Sequence, residues 1–285
     1  GLQIYQTAQA KQIVLEFLLI DNLNDVKRIA VGFYHSLALT VNGKVYAFGD
    51  NRFGQLGFVA TCQCSTNGPR HVNTLPQDLI ISIAAHGNLS YAAAGTVLYG
   101  FGSNTNAQFA GTNTLALFEP EIISTTEEED YIINIFVSEV SFLQTFKTLQ
   151  AWGRAQEGQS GTGNLLVNFH SPNIVPNIGS DITDIFAGRN SFFLQKKTTS
   201  IVGNTESTIM LAVGSNTQGE LGIDSRIDAI TPQEVILPRT DAVSDLRMGE
   251  KVTAALTKSG RVYFWGTIAL KTIIQPELAD RKSVV

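Results

Sequence analysis

The residues best suited to metal chemistry are two cysteines separated by one residue. Cys62 and Cys64 precede His71, and thiolates with an imidazole are typical zinc ligands. Structural zinc sites, however, use cysteines separated by two to four intervening residues together with a second pair of ligands. The sequence also has no G-x-S-x-G elbow, no phosphate-binding GKS or GKT loop and no H-E-x-x-H helix. We therefore predict no metal, no cofactor and no catalytic residue, in a protein that is not an enzyme.

Charged and aromatic residues on polar connections are the candidates for contact with another protein. The run Glu127–Asp130 can steer a basic partner surface, or it can be an ordinary solvated loop. An exposed Phe53 beside Arg52 suits the centre of an interface, whereas a Phe folded back onto its own strand is the structural alternative. The predicted partner-binding residues all lie on such connections: Asp50, Arg52, Phe53, Glu127, Glu128, Glu129, Asp130, Arg154 and Glu157.

These connections belong to a unit that recurs five times along the chain. A short apolar or aromatic strand runs into one glycine in each unit, at Gly49, Gly102, Gly153, Gly214 and Gly266. A second apolar strand lies upstream and reads RIAVG, SIAAH, NIFVS, DIFAG and DLRMG in turn. Both markers keep a period of about fifty residues, which is typical of arrays of one supersecondary unit. The predicted units span residues 26–77, 78–129, 130–180, 181–240 and 241–285 of a single domain.

The units have the pattern of β-hairpins. Asn42-Gly43 within SLALTVNGKVYAF favours a two-residue type I′ turn, in which both central residues have positive φ. In the fourth unit the same connection is longer, and we expect Thr198–Thr208 to form a loop that stands out. The glycine after each aromatic strand is expected to sit where a side chain would clash. His35, on the repeated strand HSLALT, is expected to be buried and hydrogen-bonded.

The composition of the chain and its N-terminal sequence argue against certain classes of protein. The chain has 285 residues, 44% of them apolar and 16% charged, with a net charge of −5. This balance is unlike that of a general nucleic-acid binder, which carries a basic face or tail. We expect no membrane-spanning segment, because the longest apolar stretches are short and interrupted by charge. Two cysteines and the absence of a signal peptide favour a cytoplasmic location. Residues 1–25 begin in mid-unit, which favours an N-terminal strand that closes a ring with the C-terminal end.

The repeats resemble those of the regulator of chromosome condensation family. The resemblance rests on HSLALTVNGKVYAFGDNRFGQLG at 35–57, FGSNTNAQFAG at 101–111, VGSNTQGELG at 213–222 and SGRVYFWG at 259–266. It implies an all-β protein, a β-propeller with four-stranded antiparallel blades. Members usually have seven blades, whereas this chain has room for about five, as a compact ring or as a fragment of a longer one. Short members look like proteins that intracellular bacteria deliver into host cells, which would place this chain in the host cytoplasm as an effector.

The resemblance also implies a function through protein contact. Founding members are guanine nucleotide exchange factors for Ran-type small GTPases, and other relatives are protein-binding platforms. We expect a monomeric propeller that engages a small GTPase, with nucleotide exchange as its activity. The alternative is a passive scaffold or adaptor without exchange activity. The family's exchange factor uses an extra β-wedge, for which Thr198–Thr208 is not an obvious equivalent.

Overall fold

The computed structural model describes most of the chain as β-strands and their connections. The described residues are 6–7, 10–11, 19–58, 65–77, 79–105, 109, 114–138, 140–154, 156–164, 168–178, 181–188, 190–199, 206–238, 241–268 and 271–279. All regular elements in these ranges are strands. Consequently, none of the described residues belongs to a helix long and apolar enough to cross a membrane.

Five four-stranded antiparallel sheets account for most of these strands. Two short strands, β1 (Gln6–Thr7) and β2 (Ala10–Lys11), pair separately. Sheet 1 contains β3 (Val26–Val31), β4 (His35–Thr40), β5 (Val45–Gly49) and β6 (Thr66–His71). Sheet 2 contains β7 (Ser82–His86), β8 (Leu89–Ala94), β9 (Val97–Ser103) and β10 (Ala116–Thr125). Sheet 3 contains β11 (Ile132–Val137), β12 (Val140–Thr145), β13 (Leu149–Arg154) and β14 (Asn168–Ile174). Sheet 4 contains β15 (Ile182–Ala187), β16 (Ser191–Thr199), β17 (Glu206–Gly214) and β18 (Ala229–Glu234). Sheet 5 contains β19 (Val243–Met248), β20 (Val252–Thr257), β21 (Val262–Ile268) and β22 (Lys271–Leu278).

Each sheet is an antiparallel meander made from one continuous stretch of chain. Strands that are neighbours in the sequence are neighbours in the sheet, in all five cases. This simple order follows from the short connections, because a tight turn can join only antiparallel strands. Sheet 5 takes its four strands from residues 243–278 alone. The predicted closing strand in residues 1–25 lies mostly outside the described residues.

The chain forms two compact units, each with its own core. Unit 1 comprises residues 1–146 and 170–172, and unit 2 comprises residues 147–169 and 173–285. A buried cluster in unit 1 brings together Leu37, Leu56 and Phe101 from sheets 1 and 2. A comparable cluster in unit 2 brings together Phe193 and Trp265 from sheets 4 and 5. Burial of these large apolar side chains is the main driving force for packing the sheets.

The hairpins between second and third strands correct one prediction. In sheet 1, Thr40 N donates to Lys44 O (2.9 Å), so three residues form the loop. Gly43 has a φ of 81°, whereas Asn42 is not among the residues with positive φ. The predicted two-residue type I′ turn is therefore wrong. A three-residue loop needs only its last residue in the left-handed region, which Gly43 provides.

The enlarged connection of the fourth unit is mostly strand. In sheet 4, β16 and β17 pair without interruption over nine residue pairs, from Ser191↔Gly214 to Thr199↔Glu206. The Thr-rich, β-branched sequence suits extended pairing, and it continues beyond the ends of the neighbouring strands. The predicted loop at 198–208 is therefore a lengthened hairpin, apart from residues 200–205, which lie outside the described residues.

The glycine after each aromatic strand is required by its surroundings, as predicted. Gly49, Gly102, Gly153, Gly214 and Gly266 all have φ between 102° and 112°. A Cβ on Gly214 would lie 2.2 Å from Asn190 O, the carbonyl just before the second strand of the same sheet. The corresponding distance is 2.4 Å from Gly49 to Tyr34 O and 2.3 Å from Gly266 to Lys251 O. Both the backbone dihedral and the close approach exclude a side chain at this position.

The outermost strand of every sheet carries a proline. These prolines lie in β6, β10, β14, β18 and β22, and they are Pro69, Pro120, Pro172, Pro232 and Pro276. The register between third and fourth strands also shifts in every sheet. Proline has no backbone N–H to donate, and the bulge that accompanies a register shift twists the strand. Both features hinder pairing with another chain. We therefore expect the fourth-strand edge of each sheet to resist pairing with another chain.

Candidate protein-binding face

The connections of sheets 1 and 2 gather at two opposite ends of unit 1. We define the first face by the connections that follow first and third strands, of which residues 32–34, 50–58 and 87–88 are described. Two hydrogen bonds link sheets 1 and 2 at this face. Phe33 N donates to Gly87 O (2.7 Å) between two connections, and Ser90 Oγ of β8 donates to Gln55 O (2.8 Å). The second face comprises the connections at the other end, including residues 41–44, 95–96 and 126–131.

An asparagine at the start of each well-formed turn organises the chain after the third strand. On the first face, Asn51 Oδ1 accepts from Leu56 N (2.9 Å) and Asn51 Nδ2 donates to Phe58 O (3.2 Å). Asn216 in unit 2 repeats this arrangement with Leu221 N (2.9 Å) and Ser225 O (2.9 Å). These side chains satisfy backbone groups that no strand pairs, which is the usual role of Asn in turns. The two asparagines are therefore structural.

Within this turn, the predicted contact residues divide into structural and exposed ones. Asp50 is buried and accepts from Arg52 Nε (3.0 Å to each carboxylate oxygen) and from Gln55 Nε2 (3.3 Å). Asp50 is thus occupied within its own turn. Arg52, held at one edge by this ion pair, leaves 62% of its side chain exposed. Phe53 is 38% exposed, so it is not folded back entirely onto the sheet.

Two further aromatic residues on the first face are more exposed than Phe53. Phe33 and Tyr34 are 67% and 62% exposed, and their ring centroids are 6.5 Å apart in an edge-to-face arrangement. Phe33 also lies 5.8 Å from the His86 ring. Asp50 N donates to Tyr34 O (2.8 Å), so the backbone that carries these rings is tied to the Asn51 turn. We call Phe33, Tyr34, Arg52 and Phe53 the aromatic patch.

A buried histidine supports the backbone beneath this patch. His35 Nε2 lies 2.8 Å from Ser90 Oγ, and Ser90 Oγ in turn donates to Gln55 O. The imidazole must therefore donate from Nε2. Burial lowers the pKa of His35 from 6.5 to about 4, against the opposing effect of the Asp50 carboxylate. His35 is thus neutral near pH 7 and joins sheets 1 and 2, as the expectation of a buried, hydrogen-bonded residue requires.

The acidic run lies on the second face, away from the aromatic patch. It follows β10, the fourth strand of sheet 2, and Asp130 N donates to Glu127 O (3.1 Å) within the turn. Glu127, Glu128 and Glu129 are exposed. Asp130 is buried and accepts from Thr145 Oγ1 (3.1 Å). The structure therefore does not bring Glu127–Asp130 together with Asp50, Arg52 and Phe53.

Arg154 and Glu157 belong to unit 2. Arg154 is the last residue of β13 and pairs with Asn168. Glu157 Oε2 accepts from Gln159 Nε2 (2.9 Å), while Glu157 N donates to Gln159 Oε1 (2.8 Å). The Glu157 side chain therefore stabilises its own turn. No described group of three or more His, Cys, Asp and Glu residues has a metal-binding arrangement. Cys62 and Cys64 lie outside the described residues.

Sequence reasoning missed Phe33 and Tyr34, the most exposed rings of the patch. They stand between the marker RIAVG and the strand HSLALT, the two patterns on which the strand predictions rest. Phe33 and Tyr34 fall in the short connection between two predicted strands, and connections usually run over the protein surface. That signal was present in the sequence.

The family comparison agrees with the repeats and the sheets. Models of the regulator of chromosome condensation (RCC1) repeat match residues 26–55 and 42–93. These residues cover sheet 1 and the first strands of sheet 2. Residues 26–93 of this chain thus match the repeat that the sequence resembles. The five sheets are accordingly the blades of a β-propeller fold.

Relatives of this repeat protein include much longer chains. The probable E3 ubiquitin-protein ligase HERC4 of Rattus norvegicus is 27% identical over 221 residues, which are 75% of this chain and 20% of the ligase. The ultraviolet-B receptor UVR8 of Arabidopsis thaliana is 27% identical over 252 residues, which are 85% of this chain and 53% of the receptor. The chain thus spans a fifth to about half of these relatives.

Solved structures show the same fold at low sequence identity. Prp20p of Saccharomyces cerevisiae superposes with a TM-score of 0.69 and 18% identity, over 89% of this chain and 65% of that protein. Human WBSCR16 superposes with a TM-score of 0.67 and 18% identity, over 90% of this chain and 67% of that protein. At this identity the likeness concerns the fold alone.

Proposed function

We propose that this repeat protein binds a small GTPase through the aromatic patch on the first face of unit 1. The observation that carries the proposal is an exposed cluster of three aromatic rings and one arginine on a hydrogen-bonded backbone. Aromatic residues and Arg are the residue types that dominate interface energies. The GTPase as partner is supported by the fold neighbour Prp20p, which binds Gsp1p, a Ran-like GTPase, and histones.

The patch has the properties of a preorganised binding surface. Its rings are attached to backbone segments fixed by Phe33 N–Gly87 O and Asp50 N–Tyr34 O hydrogen bonds. Tyr and Phe have few rotatable bonds, so their immobilisation on binding costs little entropy. Arg52 presents the rest of its guanidinium to solvent while Asp50 holds its Nε. The patch can therefore contact both apolar and acidic groups of a partner.

Nucleotide exchange is the activity proposed for the complex. Exchange needs no catalytic base, because a surface that binds the nucleotide-free GTPase more tightly weakens nucleotide binding by the same factor. A rigid, preformed face is suited to this linkage, since it favours one conformation of the partner. We further propose that the protein acts as a monomer and not as an enzyme. A cytoplasmic location, or the host cytoplasm for a bacterial effector, completes the proposal.

The second candidate is a passive scaffold that binds without exchange. Both functions use the aromatic patch, so binding alone does not separate them. The test loads a panel of small GTPases, beginning with Ran, with a fluorescent GDP analogue and measures release in the presence of catalytic amounts of this protein. Accelerated release indicates exchange, and binding without acceleration indicates a scaffold. If none of the GTPases binds, the GTPase proposal is wrong.

Two matched variants connect the assay to the patch. Replacement of both rings, Phe33→Ala with Tyr34→Ala, is expected to weaken binding about thirtyfold, since we assign the two rings together a contribution on the order of 2 kcal/mol. The control removes two exposed rings from the second face, Tyr131→Ala with Phe146→Ala, and should leave GTPase binding unchanged. Equal effects of the two double variants would exclude the aromatic patch as the binding site.

A further inference from the structure

A second exposed patch lies at the opposite end of unit 1, and it combines aromatic rings with uncompensated carboxylates. Tyr131 and Phe146 are 58% and 64% exposed. Phe146 N donates to Tyr131 O (2.9 Å), and the adjacent residues Ile132 and Thr145 are cross-strand partners. Tyr131 and Phe146 therefore stand opposite each other at the end of the β11–β12 pair, where cross-strand Cβ atoms are about 5 Å apart.

The acidic residues next to these rings belong to an anchored turn. Thr126 N donates to Thr96 O (2.9 Å), which ties the start of the turn to the hairpin of sheet 2. Asp130, at its end, is buried and accepts from Thr145 Oγ1, one residue before Phe146. Glu127, Glu128 and Glu129 are thus held beside the Tyr131–Phe146 pair by hydrogen bonds at both ends of the turn.

These three carboxylates carry charge that the described part of the chain does not neutralise. None of Glu127, Glu128 and Glu129 has a hydrogen bond or an ion pair from its side chain to a described residue, and all three are exposed. By contrast, the carboxylates of Asp50 and Asp245 form ion pairs with Arg52 and Arg247. The patch therefore presents three negative charges and two exposed aromatic rings to solvent, and its chemical complement is cationic.

We propose that Glu127–Glu129, Tyr131 and Phe146 bind an arginine- and lysine-rich extended segment of a partner protein. The guanidinium group of Arg stacks on the faces of Tyr and Phe and also donates to carboxylates. In an extended segment, alternate side chains project to one side about 7 Å apart, so one cation meets the rings while the next meets the acidic turn. The site is separate from the aromatic patch and does not depend on GTPase binding.

The proposal is tested with the intact chain and a defined probe. The probe is a fluorescein-labelled peptide of alternating Arg and Gly, and fluorescence anisotropy at low salt measures its Kd. The charge control is the same peptide with citrulline in place of Arg, which keeps the shape and removes the charge. We expect the Arg peptide to bind at least tenfold more tightly than the citrulline peptide. Equal binding of the two peptides would overturn the proposal.

Matched variants separate this patch from the net negative charge of the chain. Glu127→Gln with Glu128→Gln is expected to weaken the Arg peptide about tenfold, as two exposed ion pairs are lost. The control is Glu119→Gln with Glu121→Gln, which removes two exposed carboxylates from the outer strand β10 of sheet 2. An equal loss in this control would show non-specific attraction and would refute the site.

Replacement of one of the rings tests the site independently of the carboxylates. Phe146→Ala is expected to weaken the Arg peptide about threefold, with a smaller effect on a Lys peptide, because guanidinium stacks better than ammonium. Phe33→Ala with Tyr34→Ala should leave peptide binding unchanged, so a failure of the GTPase proposal does not affect this result. Circular dichroism melts of each variant confirm folding, and the citrulline comparison on the unmodified chain decides the question even if Phe146→Ala unfolds.

Discussion

Replacement of the glycine at the end of a third strand should be among the most damaging single substitutions in this protein. Gly214 ends β17 with a φ of 112°, and an added Cβ would lie 2.2 Å from Asn190 O and 2.8 Å from Ser191 Cα. Both neighbouring atoms belong to the backbone of the paired strand, so neither can rotate away. Gly214→Ala must therefore either strain its own dihedral or separate β16 from β17.

The magnitude follows from these two contributions. A non-glycine residue held at such a dihedral costs about 1 to 3 kcal/mol. Overpacking against an immobile neighbour costs about 1 to 3 kcal/mol more. We therefore expect Gly214→Ala to lower the free energy of unfolding by roughly 2 to 6 kcal/mol, from the sum of the two. Such a loss is a large part of the stability of an ordinary domain.

Gly260→Ala provides the matched control within the same unit. Gly260 has a φ of 84° in the hairpin of sheet 5, but an added Cβ would meet no atom within 4 Å. It therefore carries only the dihedral cost, on the order of 1 kcal/mol. Urea denaturation followed by tryptophan fluorescence measures both variants, because both tryptophans of the chain, Trp152 and Trp265, lie in unit 2. A Gly214→Ala variant no less stable than Gly260→Ala would refute the argument from the close approach.

Three further predictions concern groups inside the blades. The pKa of His35 is lowered from 6.5 to about 4 in the folded protein. Between pH 6.5 and pH 4, the His35 imidazole is therefore protonated in the unfolded chain but neutral in the folded one. Protonation thus favours the unfolded chain, and the free energy of unfolding falls as the pH falls from 6.5 to 4. The loss reaches about 3 kcal/mol at pH 4 and below; denaturation at pH 7 and pH 4.5 should show it, and a His35→Gln variant with the same pH dependence would contradict it. Asn216→Ala should cost about 2 to 3 kcal/mol, since Asn216 bonds Leu221 N, Ser225 O and Ile227 O, and its urea midpoint should fall far more than that of exposed Asn24→Ala. Pro232→Val on the outer strand β18 should increase aggregation on heating, as measured by light scattering, because valine restores a backbone N–H on the exposed edge of the sheet. Unchanged scattering would argue against a role of this proline in preventing edge-to-edge pairing.

The repeat was the part of the fold that the sequence could predict. The fifty-residue period and the glycine after each aromatic strand arise from contacts within one blade, so they recur at fixed spacing. Gly49 and Gly214 stand in the same position because each faces the carbonyl that precedes its own second strand. The type I′ turn at Asn42-Gly43 failed because the dipeptide alone does not determine the loop length. Register with the partner strand decides that length, and Thr40 pairs with Lys44.

The candidate site was predicted only in part, for a reason of geometry. Arg52 and Phe53 were placed correctly on an exposed turn, but Glu127–Asp130 was grouped with them although it lies at the other end of the sheets. Strand direction alternates in a meander, so connections after odd and even strands emerge at opposite ends. Sequence spacing does not distinguish these ends until each strand is counted. Asp50 and Asp130 were also predicted as contact residues because they are charged, but each is buried within its own turn. The sequence does not show that a turn buries such a carboxylate.

Hydrogen–deuterium exchange of this protein mixed with nucleotide-free Ran tests the central claim most directly. The aromatic patch as the GTPase site predicts that amides at residues 32–34 and 50–56 gain protection on mixing, whereas those at 126–131 exchange as in the free protein. Protection confined to 126–131, or no change at any position at saturating Ran, would contradict the claim.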